Sequence, residues 1–124
     1  MRNIMILLLT VLLMSSCYEQ ERNCSKFKTG TFEFESFLDG ELVKTRFTRT
    51  DSIEIDYFKG ETDTSSIRWI NDCEYIIKNL YPKSREEEKP LHIKILTTKD
   101  NTYTFEYGLV GETRKERGTA IKVE

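Results

Sequence analysis

The chain has 124 residues, 38% of them hydrophobic and 32% charged, and a formal net charge of −2 from 19 Lys and Arg against 21 Asp and Glu. That length accommodates one domain. A mildly acidic chain whose Lys and Arg are scattered among Glu and Asp, with no basic stripe, is a poor partner for nucleic acid.

The first element is a targeting segment. Arg2 gives a positive start, and Ile4 to Met14 is an apolar run of 11 residues broken only by Thr10. A bilayer-spanning helix needs roughly 20 such residues, so the run fits the hydrophobic region of a secretory signal. At its end, Leu13-Met14-Ser15-Ser16-Cys17 resembles the lipobox of bacterial lipoproteins, with Met14 where leucine is usual. The resemblance implies acylation of Cys17 and cleavage after Ser16, and hence anchorage in a membrane. Two or three acyl chains hold a protein stably, at about 0.8 kcal/mol per buried CH₂. Tyr18 stands where an Asp would retain some lipoproteins at the inner membrane, which implies the outer membrane of a bacterial envelope. Removing residues 1–16 from the 124 leaves 108, and takes away only Arg2 among the charges, so the formal charge becomes −3. The organisation expected is a signal peptide over 1–16, an acylated cysteine and tether over 17–28, and a β-domain over 29–124.

The remaining elements read as strands. Thr29 to Phe37 alternates Phe32 and Phe34 with Glu33 and Glu35, the period of a half-buried strand, and Asp39-Gly40 follows as a hairpin signal. Glu41 to Thr48 sets Val43 and Phe47 against Lys44 and Arg46. Ile53, Ile55 and Tyr57 alternate with Ser52, Glu54 and Asp56, and Lys59-Gly60 turns the chain. Thr64 to Ile70 places Ile67 with Trp69, then Asn71-Asp72 turns into a run with Cys73, Tyr75 and Ile77 on one face. A short helix is the rival over Glu74 to Leu80, but its position after a turn and its β-branched and aromatic residues favour a strand. Tyr81 to Pro90 is a charged loop with prolines near both ends. Leu91, Ile93 and Ile95 alternate with His92 and Lys94; after Asp100-Asn101, Tyr103, Phe105 and Tyr107 alternate with Thr102, Thr104 and Glu106. The last run, about Lys115 to Val123, alternates Thr119, Ile121 and Val123 with Ala120 and Lys122.

About eight short strands with tight connections predict an all-β fold: a small antiparallel meander, closed or nearly closed into a barrel, which removes exposed edges. Eight strands either fill the interior with side chains or leave room for one small ligand. Trp69, Tyr75, Tyr103, Phe105 and Tyr107 fall mainly on the inward faces and either pack a core or line a cavity for an apolar ligand. With Cys17 acylated, Cys24 and Cys73 remain, and in an oxidising compartment they either form a disulfide or stay as two thiols.

Catalytic patterns are missing from the sequence. His92 is the sole histidine and falls beside Lys94 on the outer face; Cys24 and Cys73 lack metal-ligand spacing; the six glycines form no phosphate loop; and Ser15-Ser16 leaves with the signal. No motif requires a cofactor or a metal. Glu33 and Glu35 are spaced as an outward strand face requires.

Gly30-Thr31-Phe32 resembles the Gly-x-Trp opening of lipocalins with Phe for Trp, without an Arg/Tyr set that aligns for a carboxylate ligand. Three stretches resemble a group of short envelope lipoproteins of Gram-negative bacteria: Cys24 to Phe32, Trp69 to Tyr75, and Gly118 to Val123. Some members of that group carry the label "DNA topoisomerase IV". A type II topoisomerase needs an ATP site, a metal-binding acidic cluster and a DNA-cleaving Tyr in a basic groove, for which an acidic exported domain of 108 residues has no room. The expectation is therefore a lipid-anchored envelope protein with a non-catalytic binding or interaction role. The alternatives are a lipocalin-like carrier of a small hydrophobic ligand, and an inhibitor or subunit of an envelope complex.

Overall fold

The computed structural model describes residues 22–38 and 40–124. The signal segment and Cys17 lie outside them. Eight antiparallel strands follow one another around a closed barrel: β1 (Gly30–Leu38), β2 (Glu41–Arg49), β3 (Ile53–Phe58), β4 (Glu61–Asn71), β5 (Glu74–Asn79), β6 (Leu91–Lys99), β7 (Thr102–Leu109) and β8 (Glu116–Lys122). Each pairs with its neighbour in sequence, and β8 returns to β1 through the pairs Phe32–Lys122, Glu33–Ile121 and Phe34–Ala120. Closure removes the two free edges that an open sheet would present. The Glu74 run is a strand, with Tyr75 and Ile77 buried.

Local chemistry sets the turns. Lys59 and Gly60 both have positive φ, 49° and 78°, as a two-residue hairpin whose twist matches the flanking strands requires. Bulges between Trp69 and Asn71 and between Ile95 and Thr97 shift the register of β4–β5 and β6–β7.

The two ends of the barrel differ. At one end a 3-10 helix, Cys24–Phe27, plugs the opening and buries Cys24 and Phe27. Phe27 packs there with Phe32, Phe47, Ile95, Tyr103 and Ala120. The plug is pinned by a Cys24–Cys73 disulfide with a Cα–Cα distance of 5.3 Å. Arg22 Nη2 donates to Ile95 O at 2.9 Å, and the Asn23 amide donates to Thr98 Oγ1 at 2.7 Å. Residues 24–28, expected to be tether, are therefore packed structure: Phe27 is an apolar residue at a barrel end that would otherwise expose Phe32 and Tyr103. The other end carries the turn at Gly40, the turn at Lys59-Gly60 and the loops 80–90 and 110–115, and is not plugged by any described residue.

Two strands face opposite to their apolar pattern. In β3, Glu54 is buried and Tyr57 is 41% exposed; in β8, Ala120 is buried and Ile121 is 49% exposed. In β3 the cause is register. Arg49 lies on the same face as Phe47, and the pairs Arg49–Glu54 and Phe47–Asp56 carry that face across to Glu54 and Asp56. Side chains of paired residues share a face, so one fixed pair sets a whole strand. The tight turn fixes the pair, with the Thr50 amide donating to Ile53 O at 2.9 Å and the Ile53 amide to Thr50 Oγ1 at 3.2 Å.

Candidate functional site

The inverted β3 gives the interior its chemistry. Arg49 sits at the floor of the lumen, 3% exposed, and its donors converge on groups from four elements. Nε donates to Glu54 Oε1 at 3.2 Å, Nη1 to Phe27 O at 2.6 Å, and Nη2 to the hydroxyls of Tyr75 at 2.8 Å and Tyr103 at 3.2 Å. Its guanidinium also lies over the rings of Tyr75 and Phe32, 4.8 and 4.9 Å from their centroids. Burial opposes the Arg49 charge, but Tyr75, Tyr103 and Glu54 outweigh it and hold the group ionised. Burial pushes both tyrosine hydroxyls upward, so they remain phenols. Arg49 thus ties the plug to β2, β3, β5 and β7. The chain's own Glu54 occupies the place beside Arg49 and two tyrosines that a ligand carboxylate would take.

Above this floor a cavity of about 270 Å³ opens toward the unplugged end, walled by Phe34, Phe47, Tyr75, Tyr103, Phe105 and Tyr107, with Glu54 and Asp56 on one side. Phe34 and Phe105 meet at 5.7 Å between centroids. Gly118 makes room for them, since a Cβ there would lie 2.7 Å from the Phe34 ring and 2.8 Å from that of Phe105. A second cavity, also about 270 Å³, adjoins at Asp56 and is lined by Asp63, Ser65, Ile77, Glu86 and Glu87 among others. Asp56 and Asp63 are direct cross-strand partners, an arrangement that destabilises a sheet when both are charged. Burial, and then Glu54 beside it, push the Asp56 carboxyl up to about 8.

The nearby cations are committed elsewhere. Arg49 pairs with Glu54, Lys89 with Glu86 at 3.3 Å, and Arg114 with Glu116 at 3.1 Å. Among the described residues, neither Asp56 nor Asp63 has an ion-pair partner, and Ser65, 6% exposed, makes no side-chain hydrogen bond.

Of the five aromatics singled out in the sequence, Tyr75, Tyr103, Phe105 and Tyr107 line the first cavity. Trp69 does not. It packs against the plug-end core and the Ile67, Tyr75, Ile77 and Ile93 cluster, 4.6 Å from Tyr75 by ring centroids, with Lys28 Nζ 5.1 Å from its own. Among the described residues its Nε1 is buried without a partner. His92 lies outside the lumen, its Nε2 3.0 Å from Glu74 Oε2 and with Lys94 nearby. Arg49, Glu54, Asp56, Asp63 and Ser65 were not singled out as site residues from the sequence. The signal for them was parity: once Phe47 faces inward, so does Arg49, and its hairpin partners follow. Among the described residues, no group of three or more His, Cys, Asp or Glu side chains is arranged to hold a metal ion.

No protein-family model, curated protein or solved structure matches this chain.

Proposed function

We propose that this protein is a non-catalytic binding protein of the bacterial envelope, acylated at Cys17, held at the outer membrane, and carrying a small ligand inside its barrel. The observation that supports the reading best is the lumen: plugged at one end, open at the other, and walled by aromatic rings around about 270 Å³ of space. Ligand pockets are concave, mostly apolar, and oriented by a few polar groups. Those groups are here Asp56, Glu54 and the tyrosine hydroxyls. The reading supplies no chemistry of transformation, since the histidine sits on the outer wall with Glu74.

Titration with the neutral dye N-phenyl-1-naphthylamine tests the lumen. Its emission should rise and saturate at one dye per chain, and Ile93→Trp, which fills the cavity wall beside Tyr75 and Tyr107, should abolish the rise. A rise that survives Ile93→Trp places the dye elsewhere and removes the support for a carrier. Growth with a labelled fatty acid tests the anchor: label should enter the protein, and Cys17→Ala should prevent both labelling and membrane retention.

A further inference from the structure

We infer that the lumen selects a small organic ammonium, a primary amine with a monocyclic or short alkyl body, whose charged head sits between Asp56 and Asp63 and whose apolar body lies along Phe34, Phe105 and Tyr107. The inference rests on the carrier reading and goes beyond it by giving the sign of the ligand's charge.

Three observations carry it. First, the buried cation of the lumen is largely committed. Four hydrogen bonds already draw on the Arg49 guanidinium, to Glu54, Phe27 O, Tyr75 and Tyr103. An incoming carboxylate would have to displace Glu54 and then lie beside it and Asp56. Second, Asp56 and Asp63 are cross-strand neighbours on β3 and β4, neither is ion-paired among the described residues, and the Lys89 ammonium that lines the same cavity is paired with Glu86 at 3.3 Å. An ammonium placed there gives both carboxyls a charged hydrogen-bond partner. Third, Ser65, a residue more than nine-tenths buried that lines the same cavity as Asp56 and Asp63, makes no side-chain hydrogen bond among the described residues. An –NH₃⁺ group has three donors, which matches two carboxylates and one hydroxyl.

The charged and titratable groups facing Asp56 are Glu54 on its own strand, Asp63 on β4, Arg49 on β2, Tyr75 on β5, Tyr103 and Tyr107 on β7, and Glu86, Glu87 and Lys89 from the loop over the mouth. Near neutral pH the raised Asp56 carboxyl is mostly protonated. Binding an ammonium restores the carboxylate, so close to one proton is released to solvent per ligand bound.

The test is isothermal titration of the full-length protein in detergent with three probes of one shape: phenethylamine, 2-phenylethanol and 3-phenylpropionate. The amine should bind at least tenfold tighter than the alcohol, and the acid should not bind measurably. Repeating the amine titration at pH 7 in buffers of different ionisation enthalpy should show proton release. In Asp56→Asn with Asp63→Asn the amine should fall to the level of the alcohol, which should bind as before. Equal binding of amine and alcohol to the parent, or best binding of the acid, overturns the charge inference and leaves the carrier standing. No binding of any probe, together with no response to N-phenyl-1-naphthylamine, overturns the carrier and this inference with it.

Discussion

Replacing Arg49 by Met should come close to unfolding the protein, whereas replacing its partner as well should restore much of the loss. The Glu54 side chain is only 8% exposed, and Arg49 is its ion-pair partner at 3.2 Å. Breaking a buried pair from one side leaves an uncompensated charge and costs about 3–5 kcal/mol. The Phe27 carbonyl loses a donor at 2.6 Å in the same step, a further cost of about 1–3 kcal/mol for a buried acceptor. A domain of this size has only about 5–15 kcal/mol in total. Arg49→Met with Glu54→Leu removes the stranded charge, and such apolar replacements are neutral or even stabilising by about 1–4 kcal/mol. The double variant should therefore be more stable than Arg49→Met by at least about 2 kcal/mol. Urea unfolding followed by the emission of Trp69, the single tryptophan, reports it, with equal m-values confirming that midpoints compare like with like. A double variant unfolding at the same urea concentration as Arg49→Met would show that the stranded Glu54 charge is not the source of the loss.

Asp56 makes stability fall with rising pH. Its native carboxyl titrates at about 8 against 3.8 when free, so between those values the native state holds a proton the unfolded chain has released. The contribution is complete below about pH 4 and fades by up to about 1.4 kcal/mol per unit toward pH 8. Asp56→Asn should flatten thermal midpoints over pH 5–8 and raise the midpoint at pH 8; a variant that melts like its parent at every pH refutes the burial of a protonated Asp56. Glu74, lowered chiefly by its hydrogen bond with His92, acts in the opposite sense: its contribution is present above the ordinary glutamate range and is lost as pH falls through the lowered native value. Reduction of Cys24–Cys73, which lie 49 apart in sequence, should cost about 4 kcal/mol, read as a lower melting temperature that Cys24→Ser with Cys73→Ala reproduces. Trp69→Ala should cost about 3–5 kcal/mol in urea. Trp69→Phe should cost far less, because it keeps a ring against Tyr75 and removes the unpartnered indole N–H; equal losses for the two would show that a ring at this position recovers nothing.

The strands were legible because most of them obey one rule. Phe32 and Phe34 against Glu33 and Glu35, or Tyr103, Phe105 and Tyr107 against Thr102, Thr104 and Glu106, show in the sequence the faces they have in the barrel. In Ile53 to Tyr57 the same rule points the wrong way. Alternation gives the period but not the phase, and here phase is imposed from β2 through the Arg49–Glu54 pair, a contact between strands that no single strand's pattern contains. The site was hidden for the same reason, since its polar residues occupy the face that hydropathy assigns to solvent. The plug was hidden differently. Phe27 lies between Lys26 and Lys28, whose ammonium groups reach Asp100 O and Asp72 while the ring goes inside, and that division of labour leaves no periodic trace.

The placement of the plug also fixes a direction. With Cys17 acylated as proposed, the chain from the lipid joins the barrel at Arg22, on the plugged end. Five residues extend at most about 17 Å. A nine-residue strand such as β1, rising about 3.3 Å per residue and tilted as barrel strands are, makes a wall about 20–24 Å tall. The leash is shorter than the wall, so the barrel cannot be inverted to press its mouth on the bilayer. Held upright, the mouth stands well beyond the roughly 8 Å over which a charged lipid surface is felt at physiological salt. In that orientation a guest of the kind inferred above would arrive from water at its bulk concentration, with no enrichment by the headgroups below.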